Sequence, residues 1–190
     1  MPCSRYPLLL FLAAAGTPAL AADPVDAMRQ DSGELIRKLG AALKEQMAAK
    51  GPEGAIPVCR DLAPSLAGEI SRRTGTHVAR VSLKTRNPLL GQPDAWEQAV
   101  LMEFDRRVAA GDKPETLEYS EVVTEPQGRF QRYMKALPVQ PLCLGCHGDP
   151  AAMQDGVRAA LAAEYPHDRA TGYAAGQVRG AVTVKRLLAD

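Results

Sequence analysis

An excess of charge of either sign is missing from this chain. Its 190 residues carry 23 Lys and Arg against 22 Asp and Glu. There is no block of like charges, so nothing in the balance suggests nucleic acid or an anionic membrane as partner. Long apolar runs are missing as well. The most extended, from Leu8 to about Ala15, falls far short of the roughly 20 residues that span a bilayer. No later stretch is apolar enough to do so, and no internal repeat is visible. Aromatics are scarce at 5%; beyond residue 21 they are Trp96, Phe104, Phe130 and four tyrosines. Cysteines number four, at 3, 59, 143 and 146.

What is present begins with the N-terminus, "MPCSRYPLLLFLAAAGTPALAAD". A short segment carrying Arg5 precedes the apolar run, and Gly16, Pro18 and the small-residue tract Ala19-Leu20-Ala21 follow it. That order matches the n-region, h-region and A-x-A cleavage site of a secretory signal. The expectation is a cleaved leader over residues 1–21 and a mature protein exported to a bacterial periplasm. Removing the leader takes Arg5, which leaves 22 basic against 22 acidic residues, and it takes Cys3. Three cysteines then remain in an oxidising compartment, where a spare thiol needs a reason. The mature length of about 170 residues suits one domain with a real core.

Periodicity along the chain predicts an α+β fold, with a small antiparallel sheet and helices beside it. Asp23-Pro24 opens a long helix with Met28, Leu35, Leu39, Leu43 and Met47 on one stripe, ended by "KGPEG" at 50–54. A second helical pattern runs from about Ile56 to Arg73, with Cys59 on its apolar face and Pro64 as a candidate kink. "HVARVSLKT", 77–85, alternates as a strand, and "RNPLLGQ" reads as a loop. Pro93 and Asp94 open a helix carrying Trp96, Val100, Phe104 and Val108. Two strands, "TLEYSEVVT" and "RFQRYMKALPV", flank the turn "EPQG". An Ala-rich helix over about 150–164 and a last strand, "QVRGAVTVKRL", complete the pattern.

The segment "PLCLGCHGDP", 141–150, carries the chemistry. Cys-x-x-Cys serves redox dithiols, half zinc sites and covalent haem attachment, but only haem c needs a histidine directly after the second cysteine. A thioredoxin-like dithiol wants a βαβ setting, which is lacking here. Zinc wants four converging ligands, and His147 next to Cys146 is a poor member of a tetrahedron. Haem c, one group per chain, fits: Cys143 and Cys146 form the thioethers and His147 is the proximal ligand. A structural disulfide between Cys143 and Cys146 is the plain alternative. A large planar cofactor would also supply packing surface that the scarce aromatics do not, although Ala, Leu and Val are plentiful.

The other axial ligand stays open on residues alone. Met28, Met47, Met102, Met134 and Met153 are candidates, yet lone methionines usually fill space. His77 and His167 flank predicted elements and read as surface residues. Cys59 stands on an apolar helix face without a disulfide partner, and its plain reading is an inert buried thiol.

Several motifs taken in order carry a resemblance: Cys59 in an alanine-rich helix, "SLKTRNP", "PDAWEQAVL", "CLGCHG" and "YPHDRATGYAAGQVRGAVTV". Over roughly 55–188 the chain resembles a bacterial family of exported c-type haem domains with a PAS-like sensor fold. Most members lack a defined function. They stand alone or form the outer part of histidine kinases and chemoreceptor-like proteins. The resemblance implies a PAS-like domain over 53–190 behind a helix over 22–52, with His147 and Cys59 on the iron. The family's asparagine after "RNP" is absent, since Leu89-Leu90-Gly91-Gln92 stands there. Arg86 and Arg179 become candidate partners for haem propionates, because guanidinium pairs well with carboxylate. Trp96 is expected to pack its helix on the sheet, and Gly172 and Tyr173 to shape a loop. No catalytic acid, base or nucleophile stands out, which speaks against a peroxidase-like enzyme. A redox- or small-ligand-responsive sensor module is the leading expectation, with a signalling or redox partner protein. A periplasmic electron-transfer cytochrome is the alternative.

Overall fold

The computed structural model describes residues 23–189, so the expected leader lies outside the described residues. Helix α1 (Pro24–Pro57) starts where Asp23 caps it, the carboxylate accepting from Val25 N. It is broken at Gly51, whose φ of 68° suits glycine, and it resumes with Pro52 in its next first turn. The expected stop at "KGPEG" is therefore a break, and helix resumes directly after it. A π-helical turn, Val58–Leu62, joins α1 to α2 (Ala63–Thr74). In it the Ala63 N–H reaches back five residues to the Val58 carbonyl. Pro64 has no N–H to give the Arg60 carbonyl, and its ring would clash there. The turn widens instead of kinking, and Cys59 sits on the widened turn.

Strand β1 (His77–Val81) follows, then a short helix α3 (Pro88–Gly91) and helix α4 (Ala95–Ala109). Strands β2 (Glu118–Glu125) and β3 (Gly128–Pro138) form the hairpin expected across "EPQG". A one-turn helix α5 (Leu144–His147), helix α6 (Asp155–Glu164) and strand β4 (Val178–Leu187) complete the chain. The four strands are antiparallel in the order β1-β4-β3-β2. No described helix is long and apolar enough to cross a membrane.

Three boundaries differ from the periodicity. β1 stops at Val81 rather than continuing to 85, because Ser82 N turns away to the Gly91 carbonyl, at 3.1 Å. "RNPLLGQ" holds α3, capped by the Asn87 side chain accepting from Leu89 N. The Ala-rich helix begins at Asp155, after a separate 3₁₀ turn over Pro150–Ala152. Elsewhere local signals agree with the fold. Asp94 and Glu97 form a reciprocal capping box at the start of α4.

Strand alternation divides the core between the two faces of the sheet. Tyr133, Val182 and Val184 meet Met28 and Leu35 of α1 and Ile70 of α2. Met134, Ala136 and Ala181 meet Val100, Leu101 and Phe104 of α4. A third cluster joins Ile56 to Met153, Val157, Leu161 and Tyr165, with Cys146 against it. Trp96 packs on the α4 side, donates from Nε1 to Glu121 at 2.9 Å and lies under the Arg132 guanidinium at 4.4 Å.

One glycine pins β4 to the end of β1. Gly180 has φ 154°, and a Cβ there would stand 2.3 Å from the Val81 carbonyl oxygen. Gly180→Ala is therefore expected to destabilise the fold by about 3 kcal/mol, combining backbone strain and overpacking. Urea unfolding measures it, and a loss below about 1 kcal/mol would mean the strand end relaxes freely.

Candidate functional site

A cavity of about 650 Å³ opens at the sheet edge, lined by α2, β1 and the segment after β1. That is within the range of small-molecule sites, roughly 300–1,000 Å³. Ala63, Ala67 and Ser71 succeed one another at four-residue spacing on α2, and with Pro64 and Gly68 they make a wall of small side chains. The widened turn places Cys59 on the cavity lining, and α5 brings His147 to the same cavity. Among the described residues five arginines line the cavity, at 60, 72, 80, 86 and 179, and no Asp or Glu does. Such a surface suits a large, partly apolar ligand that carries negative charge.

His147 is held in one tautomer. Its Nδ1 lies 2.7 Å from the Ala170 carbonyl, which can only accept, so Nδ1 carries the proton and Nε2 keeps a lone pair. Arg179 Nε stands 3.2 Å from Nδ1 and 3.5 Å from Nε2. With Nδ1 already donating, the lone pair that Arg179 meets is the one on Nε2. Burial, then the charges of Arg179 and Arg86, hold the imidazole well below the usual histidine range. It is neutral near pH 7, the form that binds a metal.

Arg86 and Asp168 clasp the histidine's surroundings. Arg86 is buried and Asp168 largely so, and Arg86 Nε donates to Asp168 Oδ2 at 2.9 Å. Arg86 Nη2 donates to the Cys146 carbonyl and, at 3.4 Å, to the Ala170 carbonyl that holds His147. Asp168 Oδ1 accepts from Ala170 N at 2.7 Å. Backbone bonds complete the clasp: Gly172 N donates to Gly148 O and Tyr173 N to His147 O, with Gly172 at φ 72°. The expected loop-shaping by Gly172 and Tyr173 takes this form. Arg179 spends Nη1 on Ser82 Oγ, at 2.8 Å, and on the Lys84 carbonyl.

Cys143 and Cys146 are half-buried free thiols beside the cavity rather than on its wall, and Cys59 is a half-buried free thiol on it. Burial raises the Cys146 thiol, and the neighbouring Cys59 and Cys143 raise it further, so the three sulfurs are gathered in one region. Among the described residues no three His, Cys, Asp or Glu side chains converge on a bare metal position, which leaves the zinc arrangement without its ligands. No methionine lines the cavity. Met28, Met134 and Met153 are buried in the core clusters, and Met102 is exposed. His77 lines the cavity from an exposed position, and His167 does not line it.

Sequence reasoning missed three residues here: Asp168, Ala170 and Arg80. The first two lie inside the quoted "YPHDRATGY", but no spacing rule joins them to Arg86 or His147 more than twenty residues away.

Comparison with known proteins follows from this geometry. No curated protein matches the chain. The crystal structure of the cyanobacterial haem protein Tll0287 superposes with a TM-score of 0.64 at 23% identity, over 89% of this chain and 99% of that one. At that identity the likeness shows the fold. The Tll0287-like family model matches residues 17–186, nearly the whole chain. The chain therefore belongs to the Tll0287-like family.

Proposed function

We propose that this protein is an exported mono-haem c-type protein with a PAS-like domain, working as a redox-responsive module. One observation carries the reading: Cys59 and His147 line one cavity, which holds five arginines and, among the described residues, no carboxylate. The likeness to a protein described as a haem protein adds support. The residues fit the group. A wall of small side chains suits a flat macrocycle, neutral His147 would offer Nε2 in exchange for its contact with Arg179, and the arginines suit the acidic edge.

In this reading Cys143 and Cys146 carry the thioethers, and His147 and Cys59 are the axial ligands. Haem supplies one-electron chemistry when bound. The chain's own residues do the rest. Ala170 orients the imidazole and raises its basicity through the Nδ1 hydrogen bond. Arg86 and Asp168 hold Ala170 and the Cys146 carbonyl in place. Cys59 supplies an anionic donor that favours the oxidised state, from a helix turn already out of regular register. A ligand held on such a turn suits a switch better than a fast carrier.

The test is protein made in a bacterium that matures cytochromes c. A pyridine haemochrome of c type that survives acid-acetone extraction is expected. Cys143→Ala/Cys146→Ala is expected to carry no covalent pigment. Pigment that washes out of the natural chain, or stays covalent in the double variant, would contradict the reading.

A further inference from the structure

We propose that Arg72 and Arg80 form the carboxylate-binding end of the cavity and hold the two propionates of a porphyrin. The inference rests on the haem reading above and assigns residues that the motifs did not single out. It follows from how the five cavity arginines are occupied. Arg60 pairs with Asp61 and Glu164. Arg86 is bound to Asp168 and to two carbonyls, and pulling it away would leave a buried carboxylate unpaired. Arg179 is anchored through Nη1 to Ser82 and the Lys84 carbonyl, which hold it beside His147. Among the described residues Arg72 and Arg80 have neither an ion pair nor a side-chain hydrogen bond, yet both line the cavity.

Their places in the fold differ usefully. Arg80 lies half-buried on β1, an edge strand of the sheet, and its charge is felt by His147 and Arg179. Arg72 lies exposed in the last turn of α2, on the same wall as Ala67, Gly68 and Ser71. Two guanidinium groups with free donors on a wall without carboxylates match a ligand bearing two carboxylates. Arg86 and Arg179, the pair suggested by the motifs, have their donors committed to the protein itself.

The experiment uses the full chain carrying Cys143→Ala/Cys146→Ala, titrated by absorbance with iron protoporphyrin and with its dimethyl ester. The ester removes both negative charges and keeps the macrocycle. The parent is expected to bind the diacid about tenfold or more tighter than the diester. Arg80→Gln and Arg72→Gln are each expected to shrink that ratio several-fold and leave diester affinity unchanged, with Arg80→Lys recovering part of it. Arg106→Gln, which loses a paired arginine away from the cavity, is expected to keep the ratio. An equal ratio in parent, Arg80→Gln and Arg72→Gln overturns the assignment, as does a parent that does not distinguish the two porphyrins. Binding of neither porphyrin overturns it too. The haem reading itself is judged separately by the haemochrome of the natural chain, so the two failures are distinguishable.

Discussion

Cys59→Ser is expected to convert a low-spin ferric protein into one with a large high-spin component and to raise its midpoint potential. The shift should be on the order of 0.1 V, within the roughly 0.8 V that axial ligands span. Cys59 stands on the π-helical turn and lines the same cavity as His147. Serine is nearly isosteric, so the wall keeps its shape. What changes is the donor: an anionic sulfur becomes a neutral, weak hydroxyl, and the oxidised state loses its charge stabilisation. The reduced natural protein is expected to bind carbon monoxide, since a thiolate holds ferrous iron less well. Electron paramagnetic resonance and potentiometry on the two proteins decide it. If their low-spin spectra coincide, Cys59 is not the ligand, and the switch built on its release goes with it. His77 would then be the residue to replace, as the other imidazole on the wall, and the electron-carrier reading would gain. The methionines offer no such fallback, because none of them lines the cavity.

Asp168→Asn is expected to destabilise the fold by about 3–5 kcal/mol, the cost of leaving a buried partner charge unpaired. For a domain of this size that is a fall in Tm of roughly 10 °C. The side chains of Arg86 and Asp168 are 9% and 12% exposed, so solvent does little to screen the loss. Asparagine keeps an oxygen to accept from Ala170 N, so the loop bond survives and the change isolates the charge. Two readouts separate bracing of the histidine from mere stability. The potential of the folded variant should move, because the Ala170 carbonyl serves both Arg86 and His147. The paired variant Arg86→Gln/Asp168→Asn should also lose less than the two single losses added together. Additive losses and an unchanged potential would reduce the clasp to an ordinary surface pair.

Much of the fold is legible locally. The Asp23 cap, the break at Gly51, the capping box of Asp94 and Glu97 and the "EPQG" hairpin each depend on residues within a few positions of one another. Local sequence is enough for them because helix caps and tight turns satisfy their own backbone groups. Where local reading erred, a distant partner had intervened. "VSLKT" alternates like a strand, but Ser82 is claimed by Gly91 and by Arg179, ninety-seven residues away. At Pro64 the cause was local: the missing N–H and the ring widened the helix into a π turn instead of kinking it, and that turn holds Cys59 on the cavity lining.

By itself, then, the sequence determined the α+β class, the antiparallel hairpin and the Cys-x-x-Cys-His spacing at 143–147. Each is written in short-range spacing, and backbone geometry permits few answers to it. Only the tertiary structure decided that Cys59 and His147 line one cavity, that Ala170 fixes the imidazole tautomer and that Asp168 engages Arg86. The arginines make the difference plain. All five look alike in sequence, each a long cation with five donors. What each can do for a ligand depends on which carboxylates and carbonyls the fold brings within about 3 Å, and those partners come from segments far apart in the chain.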